Sequence, residues 1–128
     1  MNKWKGEFKF YSDGEVFTLK NNITVAGLDF LLNAVTLGGS EKFSSFAFYK
    51  SGSLLGSFNI NSFSRNVTAG SAHLKSSCVV NANALAQMPD VIKLLTNGST
   101  VVAEKAIPGG SFDITKTVVV VRNDYFTV

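Results

Sequence analysis

Cysteine occurs once in this sequence, at Cys78, histidine once, at His73, and proline only twice. A single cysteine excludes an internal disulfide and fits a chain made in a reducing compartment or assembled inside a cell. Zinc needs three or four ligands at set spacings, which one Cys and one His cannot supply. The nine acidic residues are scattered, so no calcium loop is expected either. Charge is also scarce. Asp, Glu, Lys and Arg make up 16% of the chain, against about 25% in ordinary globular proteins. The net charge of +3 comes without a long basic run, so no nucleic-acid partner is expected. Apolar runs are short, Val118 to Val121 being typical, so no membrane span is expected. Trp4 to Phe10 alternates in character instead of forming a secretory apolar region, which points to cytosolic synthesis and leaves the destination open.

What the chain does have is phenylalanine, at 11 residues, with many Ser, Thr, Asn and Gly. Aromatics with small polar residues suit sheets and turns better than helix surfaces. The 128 residues amount to one domain, 1–128. A chain of that size buries roughly two-thirds of its unfolded surface, so a core needs no disulfide or metal.

Turn signals divide the sequence. Asp13-Gly14 predicts a hairpin over residues 3–20, because a type I′ turn needs φ > 0 at both central positions. Centred there, Phe10 faces Phe17 and Phe8 faces Leu19 on one side, while Glu7 faces Lys20 and Lys9 faces Thr18 on the other. Trp4 and Gly6 extend the apolar side. Residues 24–37 predict the one helix, with Thr24 as N-cap, Leu28, Leu31, Leu32 and Val35 as its apolar stripe, and Gly38-Gly39 as its stop. Phe43 to Tyr49 and Leu54 to Ile60 read as strands turned by Ser51-Gly52, and residues 61–71 as a loop. His73 to Asn83 is a further strand. Asn97-Gly98 predicts a second hairpin, pairing Leu94 with Val101, Ile92 with Ala103, Val91 with Glu104, Lys93 with Val102 and Asp90 with Lys105. Phe112 to Val128 reads as one long strand, or as two broken near Asn123-Asp124. Seven or eight strands and one helix predict a mainly β fold, either an antiparallel β-sandwich or a curled barrel-like sheet.

Catalytic groups are few. His73 lies in a strand-like stretch with no nucleophile motif nearby, and Cys78 precedes Val79-Val80, as a buried strand cysteine would. Asp13 and Glu15 sit together only on a hairpin tip, where burial cannot raise a pKa. Gly38 to Lys42 follows a helix, whereas a phosphate loop follows a strand and opens a helix. Lys3, Lys5 and Lys9 alternate with Trp4, Phe8 and Phe10, which puts cations and rings on opposite faces of the strand. A stacking platform for single-stranded nucleic acid needs both on one surface. The Asn-x-Ser/Thr sequences at Asn22, Asn66 and Asn97 occur about as often as chance provides. No catalytic, cofactor-binding or metal-ligating residue is expected, and no enzyme activity.

Two segments resemble a known family. "LKNNITVAGLDFLLNAVTLGG" (Leu19 to Gly39) resembles a strand that leads through an N-x-[IV]-T-x-A-G-L-D stretch into an apolar helix in small virion proteins of tailed bacteriophages. "LLTNGSTVVAEKAIPGGSFDITKTVVVVRNDYFTV" (Leu94 to Val128) resembles the end of the same proteins, with its Asn-Gly turn, apolar-Pro element, "ITKT" and final strand. They occur in the family's order and cover a little under half of the chain. Tyr49 to Ser57 departs from the Gly-Thr-Gly-Thr-like stretch usual there. The resemblance implies a structural component of a phage particle, either tail-associated (a fibre base) or decorating the capsid. It implies no catalysis. The partners would be other phage structural proteins or copies of itself, in a homo-oligomer or bound to a lattice. Trp4, Phe8, Phe10 and Tyr49 are the candidate assembly contacts. The alternative is a carbohydrate- or ligand-binding β-sandwich that uses Tyr49, Phe63 and Asn66.

Overall fold

The computed structural model describes residues 3–21, 23–36 and 40–127. These hold β1 (Lys3–Ser12), β2 (Glu15–Asn21), α1 (Val25–Thr36), β3 (Phe43–Lys50), β4 (Ser53–Asn59), β5 (Ser62–Thr68), β6 (Ser71–Val80), β7 (Val91–Thr96), β8 (Val101–Ala106) and β9 (Val118–Thr127). Sheet A has the order β2-β1-β9-β6-β5 and sheet B the order β4-β3-β7-β8. All pairings are antiparallel, and the two sheets form a sandwich, not a closed barrel.

The first hairpin follows its turn. Asp13 and Gly14 take φ of 48° and 78°, the left-handed pair that matches strand twist. Phe8 then lies opposite Leu19 and Phe10 opposite Phe17, as the alternation requires. Ser51 and Gly52, at 49° and 81°, do the same between β3 and β4. The inward rows of the two sheets meet in an aromatic core. Phe8 packs edge-on against Phe46 with ring centroids 6.2 Å apart. Phe112, from the loop before β9, contacts Phe10 at 5.1 Å and Phe48 at 5.2 Å. All five rings are essentially buried, and each such pair adds about 0.5–1.5 kcal/mol beyond its area.

Residues 61–71 are not a loop. Ser62–Thr68 pairs with β6 along its whole length, from Ser62–Ser77 to Thr68–Ser71. Its seven residues are all exposed, so no burial alternation marks them. The strand exists because β6 offers a ladder. The second hairpin also differs from its predicted register: Val91 pairs with Ala106, Ile92 with Lys105, Lys93 with Glu104 and Leu94 with Ala103, and a bulge follows before Leu95 meets Val101. Asp90 lies beside Ile107, whose N–H donates to its carbonyl (2.8 Å), and not beside Lys105. The positive φ falls on Ser99, at 64°. Asn97-Gly98 therefore sits inside a longer loop that closes with Thr96 N–H donating to Thr100 O (3.0 Å). β9 continues unbroken through Asn123-Asp124.

Helix α1 begins as predicted. Thr24 Oγ1 accepts from Gly27 N–H at 2.9 Å, while Thr24 N–H donates to Val102 O at 3.1 Å. Ile23 bridges Ala103, so the cap also fastens the chain to the edge of β8. The docking side differs from the expected stripe. Gly27 rests on the Val102 carbonyl, where a Cβ would come within 2.3 Å, and Phe30 meets Phe43 at 5.6 Å. Leu28 and Leu32 stay 49% and 59% exposed. The side chain of Val35 and the expected stop at Gly38-Gly39 lie outside what is described.

Candidate functional site

Sheet A is broader than sheet B. β4 packs under β6, so β5 projects past the sandwich with both faces open. Along β9 every second residue points inward: Val118, Val120, Arg122, Asp124 and Phe126. The first two are ordinary core. The next two are a fully buried ion pair, with Arg122 Nη2 2.9 Å and Nε 3.1 Å from Asp124 Oδ1. Trp4 Nε1–H donates to the same oxygen at 3.0 Å. The guanidinium lies 4.7 Å from the Phe8 ring centre. Gly6 makes room for it, since a Cβ there would stand 1.8 Å from Nη2. Among the described residues Asp124 Oδ2 has no hydrogen-bond partner. A desolvated pair of this kind costs heavily to bury, and its hydrogen bonds offset that cost.

Beyond the ion pair, Trp4 stacks on Phe126 at 5.3 Å and 24°. These rings floor an open groove of about 650 Å³, walled by Leu28 and Leu31 of α1 and by Val67 and Ala72 of the projecting hairpin. Val67 is 76% exposed. The groove is bounded by the end of β5 at Val67 and Thr68, and the free edge of that strand carries one charge (Arg65), no proline and no bulge. The other edges are blunted. β8 is capped by Ile23 and Thr24, β4 is paired across a bulge at Phe48/Tyr49, and β2 carries Glu15 and Lys20 at its ends. Proteins usually blunt such edges because their free N–H and C=O groups recruit further strands.

The outward face of sheet A carries a different array. His73 and Tyr125 lie opposite each other on β6 and β9, with rings stacked at 4.5 Å and 11°. His73 Nε2–H donates to Asn123 Oδ1 at 2.8 Å. Asn123 Nδ2–H and Tyr125 O–H donate to Glu7 Oε1 at 3.3 and 3.4 Å. Burial, and after it the Glu7 carboxylate, hold the Tyr125 phenol above its usual pKa.

Of the four candidate contacts, Phe8 and Phe10 are core, at 0% and 3% exposure, and β1 is paired on both edges, by β2 and β9. Neither ring is available to a partner; packing holds them inside. Trp4 reaches the groove. Tyr49 is half-buried on sheet B beneath Lys93 Nζ, 4.3 Å from its ring centre. Phe63 and Asn66 are on β5, in the other sheet, and point to opposite faces of that strand. The fold therefore does not bring Tyr49, Phe63 and Asn66 together. His73 and Cys78 share β6 but face opposite ways. Burial pushes the Cys78 thiol up to about 12. Among the described residues no group of three or more His, Cys, Asp or Glu side chains converges on a metal-sized site. Asp13, on its exposed tip, pairs with Lys116 Nζ at 3.1 Å. Glu41, from the segment compared with a phosphate loop, accepts from Thr96 and Thr100 hydroxyls at 2.6 and 2.8 Å; those bonds hold its pKa down. Its role is to shape the β7–β8 loop.

Sequence reasoning missed the Arg122–Asp124 pair and the β5 edge. The spacing of two between Arg122 and Asp124, in a strand, was the available signal for the first. No helix among the described residues is long and apolar enough to cross a membrane. No protein-family model, curated protein or solved structure matches the chain.

Proposed function

We propose that this chain is a structural component of a tailed-phage virion, made in the host cytoplasm, that works by protein–protein contact and carries out no catalysis. The observation that carries the reading is the apolar groove floored by Trp4 and Phe126 next to the unblunted edge of β5. An extended segment of a neighbouring subunit, or of another copy, adds to such an edge through main-chain hydrogen bonds and seats alternate side chains in the groove. The resemblance of Leu19 to Gly39 and Leu94 to Val128 to phage virion proteins supports the same reading. Gold-labelled antibody that recognises the native protein tests it on purified particles by electron microscopy. Label over the head assigns the protein to capsid decoration, and label at the tail assigns it to a tail or fibre-base part. Intact particles without label would remove an exposed virion role.

A further inference from the structure

Local alternation along β1 separates its lysines from its aromatics, and on that strand alone no surface for nucleic acid arises. Strand pairing changes the composition of the lysine face. Lys5, Glu7 and Lys9 point outward from β1. Pairing places Lys20 opposite Glu7, Tyr125 opposite Lys5, His73 opposite Tyr125, and Lys75 opposite Asn123. Four lysines and two stacked rings, brought from β1, β2, β6 and β9, thus share one open sheet face.

Against the one carboxylate of Glu7, these four lysines make this a basic face in a molecule whose net charge is +3. Glu7 is itself engaged, by Lys9, Asn123 and Tyr125, which leaves Lys5, Lys20 and Lys75 as exposed cations around the rings. A groove of about 780 Å³ opens beside Tyr125, lined by Lys5, Glu7, Lys20, Ile23 and Leu28 among others. His73 stacks on one face of the Tyr125 ring and the Tyr125 hydroxyl donates to Glu7, two contacts that hold the ring in place before any ligand arrives.

We infer that this face binds single-stranded nucleic acid, with the phosphates tracked by Lys5, Lys20 and Lys75 and a base stacked on the open side of Tyr125. A positively charged sheet face bearing fixed aromatic rings is the combination that sequence-tolerant single-strand binding uses. Duplex fits poorly, because its bases are already stacked and cannot reach the ring. An acidic protein would use the lysines but has no need of the ring.

Fluorescence anisotropy with the full chain and a labelled oligothymidylate tests this, with duplex DNA and heparin as comparison ligands, across about 50 to 200 mM salt. The single strand is expected to bind more tightly than duplex. The slope of log K against log salt should be about −2, given about −0.7 for each of the three phosphates neutralised. Tyr125→Ala should weaken binding at least about fivefold, and Tyr125→Phe, which keeps the ring, should retain most of it. Lys75→Glu should lower affinity and flatten the slope, while Lys105→Glu, on β8 of the other sheet, should change neither. Absence of binding at the lowest salt would overturn the inference. So would heparin binding equal to that of the single strand and unchanged by Tyr125→Ala, which would make the face a general polyanion surface.

Discussion

The two halves of β9 are buried to the same degree and held by different forces. Val118 and Val120 are 1% and 0% exposed among Phe10, Cys78 and Phe112, and burial alone stabilises them. Arg122 and Asp124 are both 0% exposed two positions further on, and there a single carboxylate oxygen collects hydrogen bonds from Arg122 and Trp4. The apolar half accepts any side chain of suitable volume. The polar half accepts only one register against β1, since a slip would carry Asp124 away from Trp4 Nε1 and the Arg122 guanidinium away from the space left by Gly6. The aromatic core therefore supplies stability, and the contacts of the ion pair with Trp4 and Gly6 specify which residue of β9 stands opposite Gly6.

Breaking the polar half alone should have the largest effect. Asp124→Ala is expected to cost about 3–5 kcal/mol, because it removes the buried carboxylate that faces the Arg122 guanidinium. Val120→Ala in the apolar half should cost about 2 kcal/mol. Urea unfolding of both variants checks the ranking; equal losses would mean the ion pair adds no special dependence. The double replacement Arg122→Met with Asp124→Leu should recover most of the loss, and failure to do so would show that the pair contributes net stability.

Gly6→Ala attacks the same cluster through space instead of charge. Its Cβ would occupy the place of Arg122 Nη2, and about 1–3 kcal/mol is expected from the forced displacement. An unchanged thermal midpoint would show that the guanidinium can move aside freely.

Cys78 sharpens the comparison from the apolar side. Its thiol pKa is raised to about 12 in the fold, from 9.0 when exposed. The neutral thiol's contribution to stability is thus complete below about pH 9 and is lost as pH rises from there towards 12, because the unfolded chain ionises first. Stability measured against pH for wild type and Cys78→Val should diverge only in that window. Parallel curves would mean the thiol is not desolvated. The smallest effect is expected at the helix: Thr24→Ala should cost about 1 kcal/mol through loss of the cap, visible in the thermal midpoint, with the sandwich intact by circular dichroism.

Legibility in the sequence followed the range of the interactions. The β1–β2 register could be read because a two-residue turn and a period-2 pattern are both local, and Asp13-Gly14 obeys them. Asn97-Gly98 carries the same local signal but is overruled from far away. Glu41 binds the Thr96 and Thr100 hydroxyls, Asn97 N–H donates to Lys42 O, and a Cβ at Gly98 would strike Glu41. β5 has no pattern of its own because neither of its faces is buried. The outward array of His73, Asn123, Tyr125 and Glu7 joins three strands that lie far apart in sequence, so no stretch of the chain displays it. Asn123-Asp124 looked like a break because those residue types favour turns; here their side chains are occupied by Glu7, His73 and Arg122.

The order of strands in sheet A also governs when the domain can assemble. β9 lies between β1 and β6, and a ribosome delivers it after every strand it touches. Until then β1–β2 and β5–β6 are separate hairpins with a strand-wide gap between them, and Arg122 has yet to fill the notch at Gly6. Pairing β1 with β9 closes a loop of more than a hundred residues, a high-contact-order step of the kind associated with slow folding. The nascent chain thus exposes two additional strand edges during synthesis, and protection of those edges by a chaperone, or by rapid delivery of β9, would govern the yield of native protein.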